Sequence, residues 1–176
     1  MTILLCFLEM LALSVWVGGI VFLSFILAPS AFVLLPAHEA GALVGLTLTR
    51  LHLVGYAATL VFLGSRVAGA GVAAQSESFS RSELLLRPAM VCVLLMFLLT
   101  AISQQVVRPR MEVARAEKTA SVGTLNPTPQ SSAPGVPASA AFDRLHRISV
   151  KLEGGVLLLG LAAFFFTARE YSHPIR

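Results

Sequence analysis

The sequence predicts an all-α integral membrane protein: a four-helix transmembrane bundle built as two hairpins related by a parallel pseudo-repeat. Three observations predict it. First, 56% of the 176 residues are hydrophobic, only 12% are charged, and the mean hydropathy is +0.82. Soluble domains usually carry about 25% charge, so this chain lacks the polar surface to coat itself in water. Second, four segments reach the length of about 20 apolar residues that crosses a bilayer. Third, the tripeptide Arg-Leu-His occurs at Arg50-Leu51-His52 and again at Arg144-Leu145-His146, each copy leading into a long apolar run. Each copy also follows an apolar run that closes on a proline, Pro29 or Pro109. That is the layout of one helical hairpin used twice, with two Arg/His pairs on one side of the membrane.

The first span is expected over 5–35, long enough for tilt, and Pro36 and the polar pair His38-Glu39 break it. No Lys or Arg precedes its apolar run, which exceeds a signal-peptide core, so it reads as a retained span. The second is expected over 45–74, most apolar from Leu53 to Leu63. The third, over 88–107, opens on Pro88, a residue suited to a helix's first turn. The fourth covers 148–168. Residues 119–141, rich in Pro, Ser, Ala and Thr, read as a flexible linker because they cannot bury enough surface to fold. Just before it, VVRPRMEVARAEK mixes basic and apolar residues and reads as a short interfacial helix. The whole chain, 1–176, is expected to form a single membrane domain.

A net charge of +4 in such a chain suggests basic membrane-flanking loops. No basic stripe with interleaved aromatics exists, so nucleic acid is not an expected partner. The expected partner is the lipid bilayer, with a homo-oligomer or larger membrane complex as the further candidate. Cys6 and Cys92 both sit in apolar runs and read as small buried hydrophobes. Eight Lys/Arg flank the first-loop and third-loop side and five the other, so the positive-inside rule puts both termini outside. The expected location is a bacterial inner membrane, in multi-pass form.

Helical periodicity extends each Arg-Leu-His into a stripe. His52, Tyr56, Thr59 and Arg66 share one face of the second span; His146, Ser149 and Glu153 share one face of the fourth. Ser103, Gln104 and Gln105 end the third span on the same membrane side. Polar groups within spans normally face the bundle interior, because exposing them to lipid costs several kcal/mol. The stripes therefore predict a polar pocket with Arg50, His52, Tyr56, Arg144, His146 and Glu153 as ligand-binding candidates. Three functions fit such a pocket. Two arginines can hold an anionic headgroup or small-molecule ligand. His52, His146 and Glu153 can relay protons in a transporter. His52 and His146, the weak candidates for a metal, can supply both axial ligands to a haem. Beside these stands a plain structural reading, in which the arginines snorkel to lipid phosphate and each histidine satisfies a backbone carbonyl or water. Two histidines without further ligands define no coordination set, so no cofactor is assigned.

Glu9 and Arg66 fall toward the other membrane face and are expected to form a structural salt bridge. Ser14, Gly18 and Gly19 on the first span, and Gly154, Gly155 and Gly160 on the fourth, are expected to let helices approach closely. GxSxG, HExxH and GxGxxG are all absent and no nucleophile–base constellation can be assembled, so no catalytic residues and no enzyme activity are expected.

Four blocks carry a family resemblance: WVGGIVFLSFILAPSAF, EAGALVGLTLTRLHLVGY, QQVVRPRMEVAR and FDRLHRISVKLEGGVLLLGL. In this order the chain resembles the bacterial membrane proteins grouped with human transmembrane protein 205, whose shared domain is the domain of unknown function 4149. The resemblance implies a four-helix integral membrane protein and brings no reaction, ligand set or catalytic residues. The leading expectation is a small binding or transport component with a polar pocket near the ends of helices two and four. The alternative is a structural or interaction subunit of a membrane complex, and the second alternative is a haem- or metal-binding membrane protein laid out like copper-resistance protein D.

Overall fold

A computed structural model of the chain describes residues 2–73, 87–114 and 138–172. The described residues form four long helices. Helix α1 comprises Thr2–Phe22, a π-helical turn at Leu23–Leu27, and Ala28–Leu34. Helix α2 is Ala37–Ala73. Helix α3 comprises Pro88–Ile102 and a π-helical turn at Ser103–Val107, and runs on to Ala114. Helix α4 is Ala138–Ser172. All four are long and apolar enough to cross a bilayer. The chain is an all-α, multi-pass integral membrane protein, and lipid is its surrounding solvent.

The helices run alternately up and down. The closest packing is within the hairpin pairs, α1 on α2 and α3 on α4; α1 also lies along α4, and α2 along α3. Each helix buries a seam whose residues alternate in spacing between three and four. On α1 it is Glu9, Leu13, Trp16, Ile20 and Leu23, and on α2 His52, Gly55, Thr59, Phe62 and Arg66. On α3 it is Ala89, Val93, Met96, Thr100, Ser103 and Val107. On α4 it is Ser149, Glu153, Val156, Gly160, Ala163, Thr167 and Glu170, with the two glutamates slightly less covered than the rest. A mean spacing of about 3.5 is the signature of left-handed, knobs-into-holes packing. The opposite faces, such as Phe7, Leu11, Val15 and Phe22 on α1, stay exposed, as a lipid-facing surface requires.

Along this axis the interior is layered. Trp16, Val17, Ile20, Ala58, Met96 and Val156 form one apolar cluster; Leu13, Phe62, Met90, Val93 and Ala163 form the next. A polar layer closes each end. Small residues set the approach of the helices. A Cβ on Gly55 would stand 2.6 Å from the Trp16 indole, so glycine is what allows this tryptophan against α2. Gly19, Gly155 and Gly160 face neighbouring side chains in the same way. Gly18 and Gly154, by contrast, face open space, and Ser14 is exposed; the contact face of α1 lies at Gly19 and not along Ser14–Gly18.

The prolines do not close the first and third spans. Proline lacks the N–H that would bond four residues back, and its ring crowds that carbonyl. The helix answers with a π turn directly upstream: the Ala28 N–H bonds the Leu23 carbonyl and the Arg108 N–H bonds the Ser103 carbonyl. In both helices the residue making this longer bond immediately precedes the proline. The third span accordingly continues past 107 to Ala114, and Arg108–Ala114 extends it and is not a separate interfacial helix. Helix α2 starts at Ala37, well before 45, and α4 starts at Ala138, so 138–141 of the expected linker are helical. Residues 119–137 of that linker lie outside the described residues.

Candidate functional site

Fifteen or sixteen residues from the starts of α2, α3 and α4, three polar side chains meet. His52 sits on the buried seam of α2 with 2% of its surface exposed. Its Nδ1 lies 2.9 Å from Oε1 of Gln104 on α3, and its Nε2 lies 2.8 Å from Oε1 of Glu153 on α4. The Ser103 hydroxyl donates to the same Glu153 oxygen at 3.3 Å. Both imidazole nitrogens therefore face acceptors. With the Gln104 carbonyl oxygen on Nδ1, that nitrogen donates; a second proton then sits between Nε2 and the carboxyl, on one or the other.

The π turn of α3 supplies the second half of this arrangement. Ser103 and Gln104 are its first two residues, and both reach the site. Beside His52 a cavity of ≈ 30 Å³ is lined by Gly45, Ser103, Val107, Arg108, Met111 and Ser149. That is room for water and no more. Arg108 at its rim pairs with Glu112 one turn on, at 3.3 Å.

The predicted site residues separate. His52 and Glu153 come together. Tyr56 lies on the flank of the α2 seam, half-buried, its ring 5.4 Å from that of Phe97. Arg50 and Arg144 are exposed and lie outside the cluster. His146, two turns beyond Glu153, is also exposed and stacks on Phe142 at 6.3 Å. The two histidines are thus not brought together, and among the described residues no three His, Cys, Asp or Glu side chains are grouped as metal ligands would be. Glu153 has His52 as its partner across the bundle.

A second polar layer closes the other end. Arg66, 7% exposed, meets Glu9 from α1 and Glu170 from α4, and stands over the Phe62 ring at 5.1 Å. Its Nε is 3.0 Å from Glu9 Oε2, an ion-pair distance. The N–H points aside, so the contact is coulombic and neither atom gains a hydrogen bond. Nη1 of Arg66 bonds Glu170 Oε2, which also lies 3.8 Å from Nη1 of Arg87. The Tyr171 hydroxyl bonds the Glu9 carboxyl. The expected Glu9–Arg66 pair is present; Glu170, Arg87 and Tyr171 are its unforeseen members. A readable signal existed for Glu170, which stands on the same seam of α4 as Glu153.

Comparison with curated proteins and with solved structures gave no match. A family model does match, described as a domain of unknown function (DUF4149), over residues 11–120. The matched segment holds His52, Arg66, Ser103 and Gln104, whereas Glu9, Glu153 and Glu170 lie outside it. A match across more than half of a chain with four membrane-crossing helices is decisive: the protein belongs to the family defined by the domain of unknown function 4149.

Proposed function

We propose that this protein is a small, non-enzymatic membrane binding or transport component that takes up and releases a proton at the His52–Glu153 pair. One observation carries the reading: a fully buried histidine joined through both ring nitrogens to Gln104 and Glu153, next to a cavity sized for water. Burying an ionisable pair in a lipid-surrounded bundle is costly, and such pairs are characteristic of ion and proton pathways. The ≈ 30 Å³ cavity argues for a proton or water at this site over an organic substrate or headgroup. The cavity wall is mainly apolar, with Ser103 and Ser149 among the lining residues.

The test is proton movement in vesicles. Purified protein in liposomes with a trapped pH dye should dissipate an imposed pH gradient faster than protein-free liposomes, and Glu153→Gln should remove the difference. A wild-type rate equal to the protein-free rate would overturn the reading.

A second reading, a structural subunit with no small ligand, is favoured by one feature. Both ring nitrogens of His52 are already satisfied, and the pair ties α2 to α4 as a strut would. It predicts that Glu153→Gln lowers stability and leaves proton movement at the protein-free level in both forms.

A further inference from the structure

The best-covered part of the polar layer at the far end of the bundle holds two carboxylates, Glu9 and Glu170, around one guanidinium, Arg66. We propose that Glu9 and Glu170 share one proton across Arg66, making this layer a second proton-binding site on the opposite membrane side from His52. This inference does not depend on the role of the His52–Glu153 pair.

Arg66 follows His52 by fourteen residues on α2, which at 1.5 Å per residue is about 21 Å along the axis. A hydrocarbon core of about 30 Å then encloses both layers or has them at its edges. The Glu9 side chain is 2% exposed and that of Arg66 7%. Fully ionised, Glu9, Glu170 and Arg66 would together carry one net negative charge, with Arg87 at the rim, 3.8 Å from Glu170, as the cation beside them. Two carboxyls at one site resist ionising together, and a proton on one of them removes the excess.

The hydrogen-bond pattern points the same way. Glu9 Oε2 and Glu170 Oε1 are buried oxygens without a hydrogen-bond partner, and Arg66 Nη2 is a buried donor without an acceptor. Arg66 therefore does not satisfy both carboxylates at once. Every element contributes a titratable or charged group to this layer. Cys6 and Glu9 come from α1, Arg66 from α2, Arg87 from the start of α3, and Glu170 and Tyr171 from α4. Arg87 is the only cation of these besides Arg66. It lies 3.8 Å from the Glu170 oxygen that Arg66 already holds and, with 34% of its side chain exposed, stands at the rim of the layer. Glu9 is left with Arg66 and the Tyr171 hydroxyl.

The test is infrared spectroscopy of the full chain in lipid, carrying Glu153→Gln so that the other site is silent. The expected result at neutral pH is a protonated-carboxyl C=O band worth one group per chain, displaced when the protein is labelled with ¹³C-glutamate. Either Glu9→Gln or Glu170→Gln should abolish it, because the remaining carboxylate then has the Arg66 charge to itself. A Glu153→Gln parent without the band would overturn the proposal, and this measurement needs no further variant to fold. A band that survives either substitution would equally overturn the sharing of the proton.

Discussion

His52 Nε2 stands 2.8 Å from Glu153 Oε1 and so joins α2 to α4 across the bundle. Arg66 and Glu170 make the same α2–α4 connection at the other end. Between the two ties lie only the apolar clusters around Trp16 and Phe62, together with threonine hydroxyls such as that of Thr59, which bonds its own helix at Gly55. The diagonal of the bundle is therefore charged or ionisable at both ends and mainly apolar in the middle.

Truncating either member of the first tie strands the other. His52→Ala or Glu153→Ala should each cost about 1–3 kcal/mol, the penalty for a buried polar group left unpaired. The double variant should cost less than the sum of the two. Thermal unfolding in detergent gives the three values, and additive losses would mean that the pair is not coupled.

Gly55 and Gly18 make a matched pair of probes. Gly55→Ala places a methyl 2.6 Å from the Trp16 indole, and such overpacking typically costs about 1–3 kcal/mol. Gly18→Ala meets nothing within 4 Å and should be neutral, or gain up to about 1 kcal/mol from helix propensity. Equal effects at the two positions would contradict the packing described.

Pro109 is expected to act on His52 from a distance. With Pro109→Ala the N–H is restored and the π turn at Ser103–Val107 is free to return to α-helical bonding, which re-aims Gln104. The Nδ1 resonance of His52 in ¹⁵N spectra should shift, as it should in Gln104→Leu. An unchanged spectrum in Pro109→Ala would show that the proline does not set the site.

Arg66→Met should be the most damaging single change in the far layer. It takes the paired guanidinium from Glu9 and leaves Glu170 with Arg87 alone, at 3.8 Å, and breaking such a buried pair costs about 3–5 kcal/mol. The triple variant with Glu9→Gln and Glu170→Gln should recover most of the lost stability. Folded yield in detergent reports both outcomes, and a triple variant no better than the single one would argue against charge as the cause.

The two Arg-Leu-His ends should label from one side. In a chain with Cys6 and Cys92 replaced by Ala, Arg50→Cys and Arg144→Cys should react with an impermeant maleimide from the same membrane face. Both residues are exposed, and α2 and α4 run parallel. Labelling from opposite faces would rule out the four-span topology.

Much of the site was legible because helical spacing is local information. His52, Thr59 and Arg66 recur at helical offsets and do share the buried face; Tyr56 fails only because the seam follows the 3.5 spacing and takes Gly55 instead. His146 fits the periodicity of Glu153 equally well, yet it lies two turns further out, where neighbouring helices no longer cover it. Spacing fixes the face a residue occupies and says nothing about depth of cover.

Composition, apolar run length and the repeated Arg-Leu-His determined by themselves that this chain is a four-helix membrane bundle, since lipid leaves a chain of this hydropathy few other ways to satisfy its backbone. Only the tertiary structure decided that His52 pairs with Glu153 and Gln104 and not with His146, and that Arg66 has two carboxylates around it and not one. Those partners sit up to about a hundred residues apart in the chain. Their meeting depends on how four seams are rotated against one another, a relation that no single helix's sequence contains.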